Sequence, residues 1–315
     1  MISRGSLLTA SLAALATRAA AAADPAPTTI RLGLTADVDI SNVLWLLQNG
    51  IWERLGLHFE GTRLASGSLV TSALVGGSLD VGSASIFGLM AAHLRGIPVV
   101  LESVQAVYDS TAPSTAFVVG KDSPITSPAQ LNGATISTAA LNDLFSLATS
   151  AWVDQNGGNS KTLNVIELPV PAAAPAIAAG RIAGAFLVEP FLQDALDRGL
   201  VRVLGYPYNL IAPRFGATYW FSSQSYAASN SDTLARFRRG LTQEVAYART
   251  HKNEIYELAA KLSGTSLQTV QHIPFVLGSG IDVQLIQPVI DYAARYEYIA
   301  KSFPASEIID PNALS

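Results

Sequence analysis

Small polar residues follow several of the predicted strands, at the points where helices are expected to begin. In open α/β sheets, ligands bind outside the carboxyl ends of the strands, where helix N-termini present unpaired backbone N–H groups. Several such helix ends facing one cleft hold a small anion or polar group without lysine or arginine. The same residue types are the ordinary N-caps of helices, so capping alone is the competing interpretation for each. The candidate ligand-binding residues of this kind are Asn42, Ser66, Ser68, Ser83, Ser85, Thr138 and Asn142.

A carboxylate and an aromatic residue are further candidate ligand contacts. Glu189 directly precedes Pro190, so its carboxylate either caps the following helix or accepts a hydrogen bond from a ligand amine or from the opposite side of a cleft. Tyr219, beside Trp220, lies where the chain is expected to return to its first sheet. An aromatic ring at such a position either stacks on a ligand or packs within a hinge. We include Glu189 and Tyr219 among the candidate ligand-binding residues.

Residues that would support catalysis or metal binding are sparse. The chain has no cysteine, which excludes a disulfide, a thiolate nucleophile and any Cys-ligated zinc or iron–sulfur cluster. Its four histidines are far apart and form no H-E-x-x-H pair. The sequence contains no P-loop, no dinucleotide-binding glycine motif between a strand and a helix, and no G-x-S-x-G elbow. We therefore expect no catalytic residue, no metal and no cofactor, and interpret the protein as a non-enzyme.

The overall composition is that of a folded protein with more than one core. Of 315 residues, 49% are hydrophobic and 14% are charged, which excludes an intrinsically disordered chain. At about 150 residues per domain, this length predicts about two domains. The formal net charge of −4 provides no basic field for a nucleic acid backbone, so no nucleic acid partner is expected.

The first 23 residues have the pattern of a secretory signal peptide. Arg4 is followed by an apolar stretch from Ser6 to Thr17, and Ala21-Ala22-Ala23 supplies small residues for cleavage before Asp24. Arg18 interrupts the apolar stretch well before the roughly 20 residues that a membrane span requires. Cleavage there removes Arg4 and Arg18 and changes the formal net charge from −4 to −6. These features predict a periplasmic protein.

After the signal peptide, short apolar runs alternate with helical patterns, which predicts an α/β fold with mostly parallel sheets. Apolar residues at helical spacing predict one helix from about Ile40 to Leu55, ended by Gly56. A second strand–helix set begins near Ala116 and contains a predicted helix from about Ala139 to Gln155. A return strand is predicted at Tyr219–Ser222.

The last third of the chain is predicted to be almost entirely helical, so it must pack on the existing sheets or bridge two lobes. The simplest architecture has two lobes, each an α/β sheet flanked by helices, joined by two crossings that form a hinge. A single large doubly wound domain is the alternative. The expected boundaries are residues 1–23 for the signal peptide, 24–115 for the first part of lobe 1, 116–222 for lobe 2 and 223–315 for the helical second part of lobe 1.

Several stretches, in their order and spacing, resemble those of the periplasmic substrate-binding components of ABC transporters. The resemblance is to the nitrate/sulfonate/taurine branch, which also includes binders of thiamine-pyrimidine precursors, and it spans nearly the whole mature chain. Gly184 stands where the family has an aspartate. The stretches are residues 49–57 (NGIWERLGL), 73–82 (ALVGGSLDVG), 123–133 (SPITSPAQLNG), 179–185 (AGRIAGA) and 189–191 (EPF).

The resemblance implies a periplasmic-binding-protein type II fold whose two lobes close on a small molecule. It implies capture of a small polar or anionic organic ligand, sulfonate-like or related, and delivery by a monomer to a permease in the inner membrane. It also implies that the strand-to-helix loops above supply the ligand contacts. Two alternatives stay open. One is an enzyme of the same fold, such as a chorismate-type dehydratase. The other is a ligand-sensing partner of a membrane receptor.

Overall fold

Strands and helices alternate from Thr28 to Gly205, and helices dominate the chain after Ser223. The computed structural model describes residues 27–35, 40–64, 66–141 and 143–314, so the predicted signal peptide lies outside the described residues. The strands are β1 Thr28–Thr35, β2 Leu57–Leu64, β3 Val81–Ser85, β4 Val99–Asp109, β5 Thr115–Gly120, β6 Thr135–Thr138, β7 Asn164–Glu167, β8 Gly184–Val188, β9 Val201–Gly205 and β10 Arg214–Ser223.

The helices connect these strands in the first two thirds of the chain and follow one another directly in the last third. Gly264 ends α9 in the left-handed conformation, with φ at 72°, as a C-terminal glycine does. The helices are α1 Ile51–Arg54, α2 Gly67–Val75, α3 Ile86–Leu94, α4 Leu144–Gln155, α5 Val170–Ala178, α6 Phe191–Asp197, α7 Gln224–Ser229, α8 Ser231–Thr250, α9 Lys252–Ser263, α10 Leu267–Gln271 and α11 Val283–Arg295.

The strands form two five-stranded sheets, which confirms the predicted α/β class. The first sheet has the order β2-β1-β3-β10-β4 and the second has the order β7-β6-β8-β5-β9. Both are mixed: β10 runs against its neighbours in the first sheet, and β5 runs against its neighbours in the second. The other four strands of each sheet share one direction. We call each sheet with its flanking helices a lobe.

The chain returns to the first lobe earlier than expected, at the start of strand β10. The sequence predicts that residues up to Ser222 belong to lobe 2, whereas all of Arg214–Ser223 lies in the first sheet. There it pairs antiparallel with β3 on one side and with β4 on the other. The two crossings between the sheets are therefore residues 110–114 and 206–213.

Two predicted helices begin or end differently in the structure. The helix expected from Ile40 to Leu55 is divided into a 3-10 helix, Ile40–Leu46, and the short α1, because Gly50 takes the left-handed conformation with φ at 77°. The helix expected from Ala139 begins only at Leu144, where the Asp143 carboxylate accepts a hydrogen bond from the backbone N–H of Ser146 and caps the helix.

Aromatic side chains fill one face of the first sheet. The rings of Trp52 and Phe237 stack with centroids 6.0 Å apart, and Trp220 meets Phe237 edge to face at 5.7 Å. A Cβ at Gly240 would collide with the Trp52 ring, so this glycine allows α8 to approach the sheet. The predicted helical tail thus packs on the first sheet.

Candidate functional site

The carboxyl edges of the two sheets meet at the crossings. The strand β4 ends at Asp109 and β5 begins at Thr115, which pairs with Val188 at the carboxyl end of β8. The second crossing runs from Gly205, the end of β9, to Arg214, which pairs with Asp109. Both crossings therefore join one carboxyl edge to the other, and loops that follow the parallel strands of both lobes lie around the junction. This is the position where ligands bind in open α/β sheets.

The Ser66–Ser68 pair lies at the start of α2, beyond the carboxyl end of β2. The Ser66 hydroxyl caps the helix by accepting a hydrogen bond from the Leu69 N–H at 3.4 Å. Its oxygen lies 3.2 Å from the hydroxyl oxygen of Ser68, which is exposed and does not cap the helix. Capping therefore accounts for Ser66, whereas it does not account for Ser68.

Ser83 and Ser85, at the end of β3, have different roles. Ser85 is the N-cap of α3 and accepts a hydrogen bond from the Phe87 N–H at 3.3 Å. Ser83 is buried and donates a hydrogen bond to the side-chain carbonyl oxygen of Gln105 on β4. Sequence reasoning missed Gln105. The available signal was a set of polar residues within a buried strand, a pattern that needs internal hydrogen-bond partners.

In the second lobe, Thr138 supports the loop between β6 and α4. Its hydroxyl donates to the carbonyl of Ala140 at 3.0 Å and accepts from the Ser146 hydroxyl at 3.2 Å. Asp143, which sequence reasoning also missed, caps α4, and burial raises its pKa to about 6. The signal for Asp143 was an aspartate directly before an apolar helical run. Asn142 lies outside the described residues, and the structure does not describe the Asn42 side chain.

Glu189 lies between β8 and α6, where the two lobes meet. Its backbone N–H donates to the carbonyl of Ser114 in the first crossing at 3.0 Å. Its side chain is buried, and Oε2 accepts a hydrogen bond from the Gln193 N–H at 3.0 Å. Burial raises the pKa of Glu189 to about 7, and the negative charge of Asp197 acts in the same direction.

Tyr219 packs inside the first lobe. Its ring is fully buried, and within the described part of the chain its hydroxyl has no hydrogen-bond partner. A Cβ at Gly216 would collide with that hydroxyl, so the glycine makes room for the ring. Burial raises the pKa of Tyr219 well above its ordinary value. The core, rather than a surface facing the second lobe, surrounds this side chain.

Aromatic rings fill the junction on both sides of the crossings. Tyr108 of β4 packs on Phe215 of β10 with ring centroids 5.3 Å apart, and Tyr208 of the second crossing contacts both. Tyr208 also packs on Phe186 of β8, at 4.9 Å. The Tyr108 hydroxyl donates to the Asn209 side chain at 2.6 Å. These contacts hold the two carboxyl edges next to each other.

The structure offers no metal centre in the ranges it describes, where no group of three or more potential ligands comes together. Within the same ranges, none of the helices is both long and apolar enough to cross a membrane. A surface groove of ≈ 670 Å³ lies at the opposite, amino edge of the second sheet, where it is lined by Gly120, Thr135 and Gly199 among others. That groove is separate from the junction of the lobes.

The chain is therefore a two-lobed α/β protein in which the carboxyl edges of the two sheets meet at one junction. Residues 47–255 match the family described as NMT1/THI5 like, and the chain belongs to this family. No curated protein sequence matches the chain significantly.

Solved structures share the fold at low sequence identity. The periplasmic aliphatic sulphonate-binding protein SsuA from Escherichia coli superposes with a TM-score of 0.74 and 19% identity, over 90% of this chain and 92% of SsuA. The periplasmic nitrate-binding protein NrtA from Synechocystis PCC 6803 gives 0.71 and 14%, over 91% and 87% of the two chains. The desulfurization enzyme DSZB gives 0.67 and 14%, over 91% and 97%.

Proposed function

We propose that this protein is a secreted solute-binding protein that holds a small polar organic ligand between its lobes and delivers it to an ABC permease. The observation that carries the proposal is that both crossings join carboxyl edges, so the polar loops of two sheets converge on one junction. Membership in the NMT1/THI5-like family supports it, as do the folds of SsuA and NrtA, whose names state sulfonate and nitrate binding.

The proposed ligand contacts come from both lobes. The first lobe contributes Ser66, Ser68, Ser85 and the Ser83–Gln105 pair, and the second contributes Thr138 and Glu189. A ligand that touches both lobes binds a closed arrangement better than an open one, and only that difference shifts the population toward closure. The crossings at 110–114 and 206–213 are the proposed hinge.

Ligand capture is tested by thermal unfolding and small-angle scattering of the mature chain, with an alkanesulfonate, nitrate and an organic amine as probes. A ligand at about 100 times its dissociation constant stabilises the fold by about 2.7 kcal/mol. For a chain of this size, that corresponds to a rise in Tm of several degrees. The radius of gyration should fall with the same ligand. A bound probe that leaves the radius unchanged would contradict closure.

An enzyme of the same fold is the second candidate, because DSZB shares the architecture. Incubation of each stabilising probe with the protein, followed by mass spectrometry, separates the two functions. A binding protein returns the probe unchanged, whereas an enzyme accumulates a product. Secretion is tested separately: protein recovered from the periplasm should begin within a few residues of Asp24. Full-length chain recovered only from the cytoplasm would contradict the proposed location.

A further inference from the structure

The lysines and arginines of the second lobe are gathered at one edge of its sheet. Between Thr115 and Gly205, every lysine and arginine lies at or near the amino edge, away from the crossings. Arg202, for example, donates hydrogen bonds to the carbonyls of Ser123 and Ile125 in the loop after β5. The five cationic residues are Lys121, Lys161, Arg181, Arg198 and Arg202.

The carboxyl edge of this sheet, which faces the junction, carries three carboxylates: Asp143, Glu167 and Glu189. Two of them are engaged by the loop between β6 and α4. Asp143 accepts hydrogen bonds from the backbone N–H groups of Ser146 and Ala140, at 2.7 and 3.2 Å. Glu167 accepts one from the Leu141 N–H at 2.6 Å. These two carboxylates therefore shape the edge of the second lobe.

Glu189 is the buried carboxylate of this edge whose bonding capacity is not used up. The residue Glu189 is only 5% exposed. Its Oε2 accepts a hydrogen bond from the Gln193 N–H, whereas Oε1 has no hydrogen-bond partner among the described residues. Among the described residues no cation forms an ion pair with it, and the nearby charge of Asp197, which is also acidic, adds to the effect of burial. A buried carboxylate is costly unless it is paired. Capping α6 uses one oxygen, so capping leaves the second oxygen without a partner.

Apolar side chains accompany these carboxylates at both carboxyl edges. Leu69, in the first turn of α2, is 50% exposed, and Leu141, in the loop after β6, is 49% exposed. They belong to opposite lobes and both follow strands that end at the junction. Exposed leucines at a binding junction favour a ligand with an apolar body rather than a small inorganic ion.

We propose that the ligand is an amphipathic organic cation, an amine or amidine whose N–H group donates to Glu189 while its apolar body lies between Leu69 and Leu141. This inference rests on the proposed function and narrows it, because an anionic head group would face the carboxylates of the second lobe. Hydroxyl groups and Gln105 on the first lobe then complete the polar contacts. The ammonium or amidinium group supplies the cation that Glu189 lacks within the protein.

The test uses ligand pairs that share a skeleton and differ in charge: benzamidine against benzenesulfonate, and butylamine against butanesulfonate. Thermal shift and calorimetry measure their binding to the mature wild-type chain, to Glu189→Gln and to Asp122→Asn. We expect the amidine or the amine to bind and its sulfonate counterpart not to bind. Glu189→Gln should weaken that binding by at least about tenfold, because a charged hydrogen bond is lost. Asp122→Asn, which removes an exposed carboxylate from the opposite edge of the same sheet, should retain it.

Other outcomes separate the ligand class from the proposed function. Binding of the sulfonates alone, with compaction of the protein, overturns the cationic ligand and leaves the solute-binding function intact. Equal binding to wild type and Glu189→Gln overturns the role of Glu189. Stabilisation by neither member of either pair contradicts the inference as well.

If Glu189→Gln fails to fold, calorimetry of the wild type at pH 6.5 replaces that variant. Two buffers that differ in ionisation enthalpy are used, because pairing with a cation should release a proton from Glu189. Binding of the amidine or amine without proton release would overturn the inference.

Discussion

The hydroxyl oxygens of Ser150 and Tyr298 lie 3.0 Å apart and join the second lobe to the C-terminal part of the first. Ser150 lies in α4, and Tyr298 follows α11. The ring of Tyr298 also meets Phe87 of α3 edge to face, with centroids 6.1 Å apart. A neighbouring bond, from the Gln155 side-chain amide to the Tyr296 hydroxyl at 2.6 Å, reinforces the contact. The helical tail is thus a third connection between the lobes, in addition to the two crossings.

Removal of the Tyr298 hydroxyl should loosen this third connection. Tyr298→Phe keeps the ring against Phe87 and loses one hydrogen bond, so the free energy of unfolding should fall by about 0.5–1.5 kcal/mol in urea titrations. The control is Tyr247→Phe, which removes an exposed hydroxyl bonded to Glu254 within one lobe. Because surface changes of that kind stay within about 0.5 kcal/mol, equal losses for the two variants would speak against the connection.

The serines of α2 should separate capping from ligand binding. Ser66→Ala removes an N-cap and should lower the free energy of unfolding of the unliganded protein by about 1 kcal/mol. Ser68→Ala should leave that stability within about 0.5 kcal/mol while weakening ligand binding in calorimetry. Ser72→Ala, one turn further along the same helix and also exposed, is the matched control and should change neither quantity. Unchanged affinity in Ser68→Ala would remove Ser68 from the proposed site.

Glu189 should make the unliganded protein less stable as the pH rises. Burial raises its pKa to about 7 from an ordinary value of 4.5, so between these values the folded state holds a proton that the unfolded state has released. Its contribution is therefore fully present below about pH 4.5 and is lost as the pH rises through about 7. The shift corresponds to about 3 kcal/mol.

The check on this pH dependence is urea unfolding of wild type and Glu189→Gln at pH 5 and pH 8. The variant should gain stability relative to wild type as the pH rises, because glutamine does not ionise. Glu167→Gln should follow the wild type more closely, since that side chain is exposed. Parallel curves for wild type and Glu189→Gln would show that the carboxyl group is already ionised in the folded state at pH 5.

Arg238 holds the C-terminal segment to the first sheet. Its Nη1 lies 2.5 Å from the carboxylate of Glu102, which is fully buried on β4, and 3.2 Å from that of Asp310. Arg238→Ala leaves two buried carboxylates without their cation and should cost about 3–5 kcal/mol of unfolding free energy. The neighbouring, exposed Arg239→Ala is the control and should have little effect. Similar unfolding midpoints for the two variants would contradict this role.

The sequence by itself determined the local elements and the polar residues at their ends. Apolar spacing, N-cap serines and C-terminal glycines predict the alternation of strands and helices, because these signals act within a few residues. Ser66 and Ser85 were identified in this way, and both cap helices in the structure. The carboxylate before Pro190 was likewise visible in the sequence.

Only the tertiary structure decided which of these residues meet, because contacts between distant segments depend on strand order and on packing. The insertion of β10 between β3 and β4 buries Tyr219 in the core, although its sequence position allowed a ligand contact as well. Gln105 becomes the partner of Ser83 only because the register of the first sheet brings their side chains together across 22 residues of chain. The gathering of cations at one edge of the second lobe has the same origin. Strand direction sends its lysines and arginines to one edge and Glu189 to the other, and no local pattern records that division.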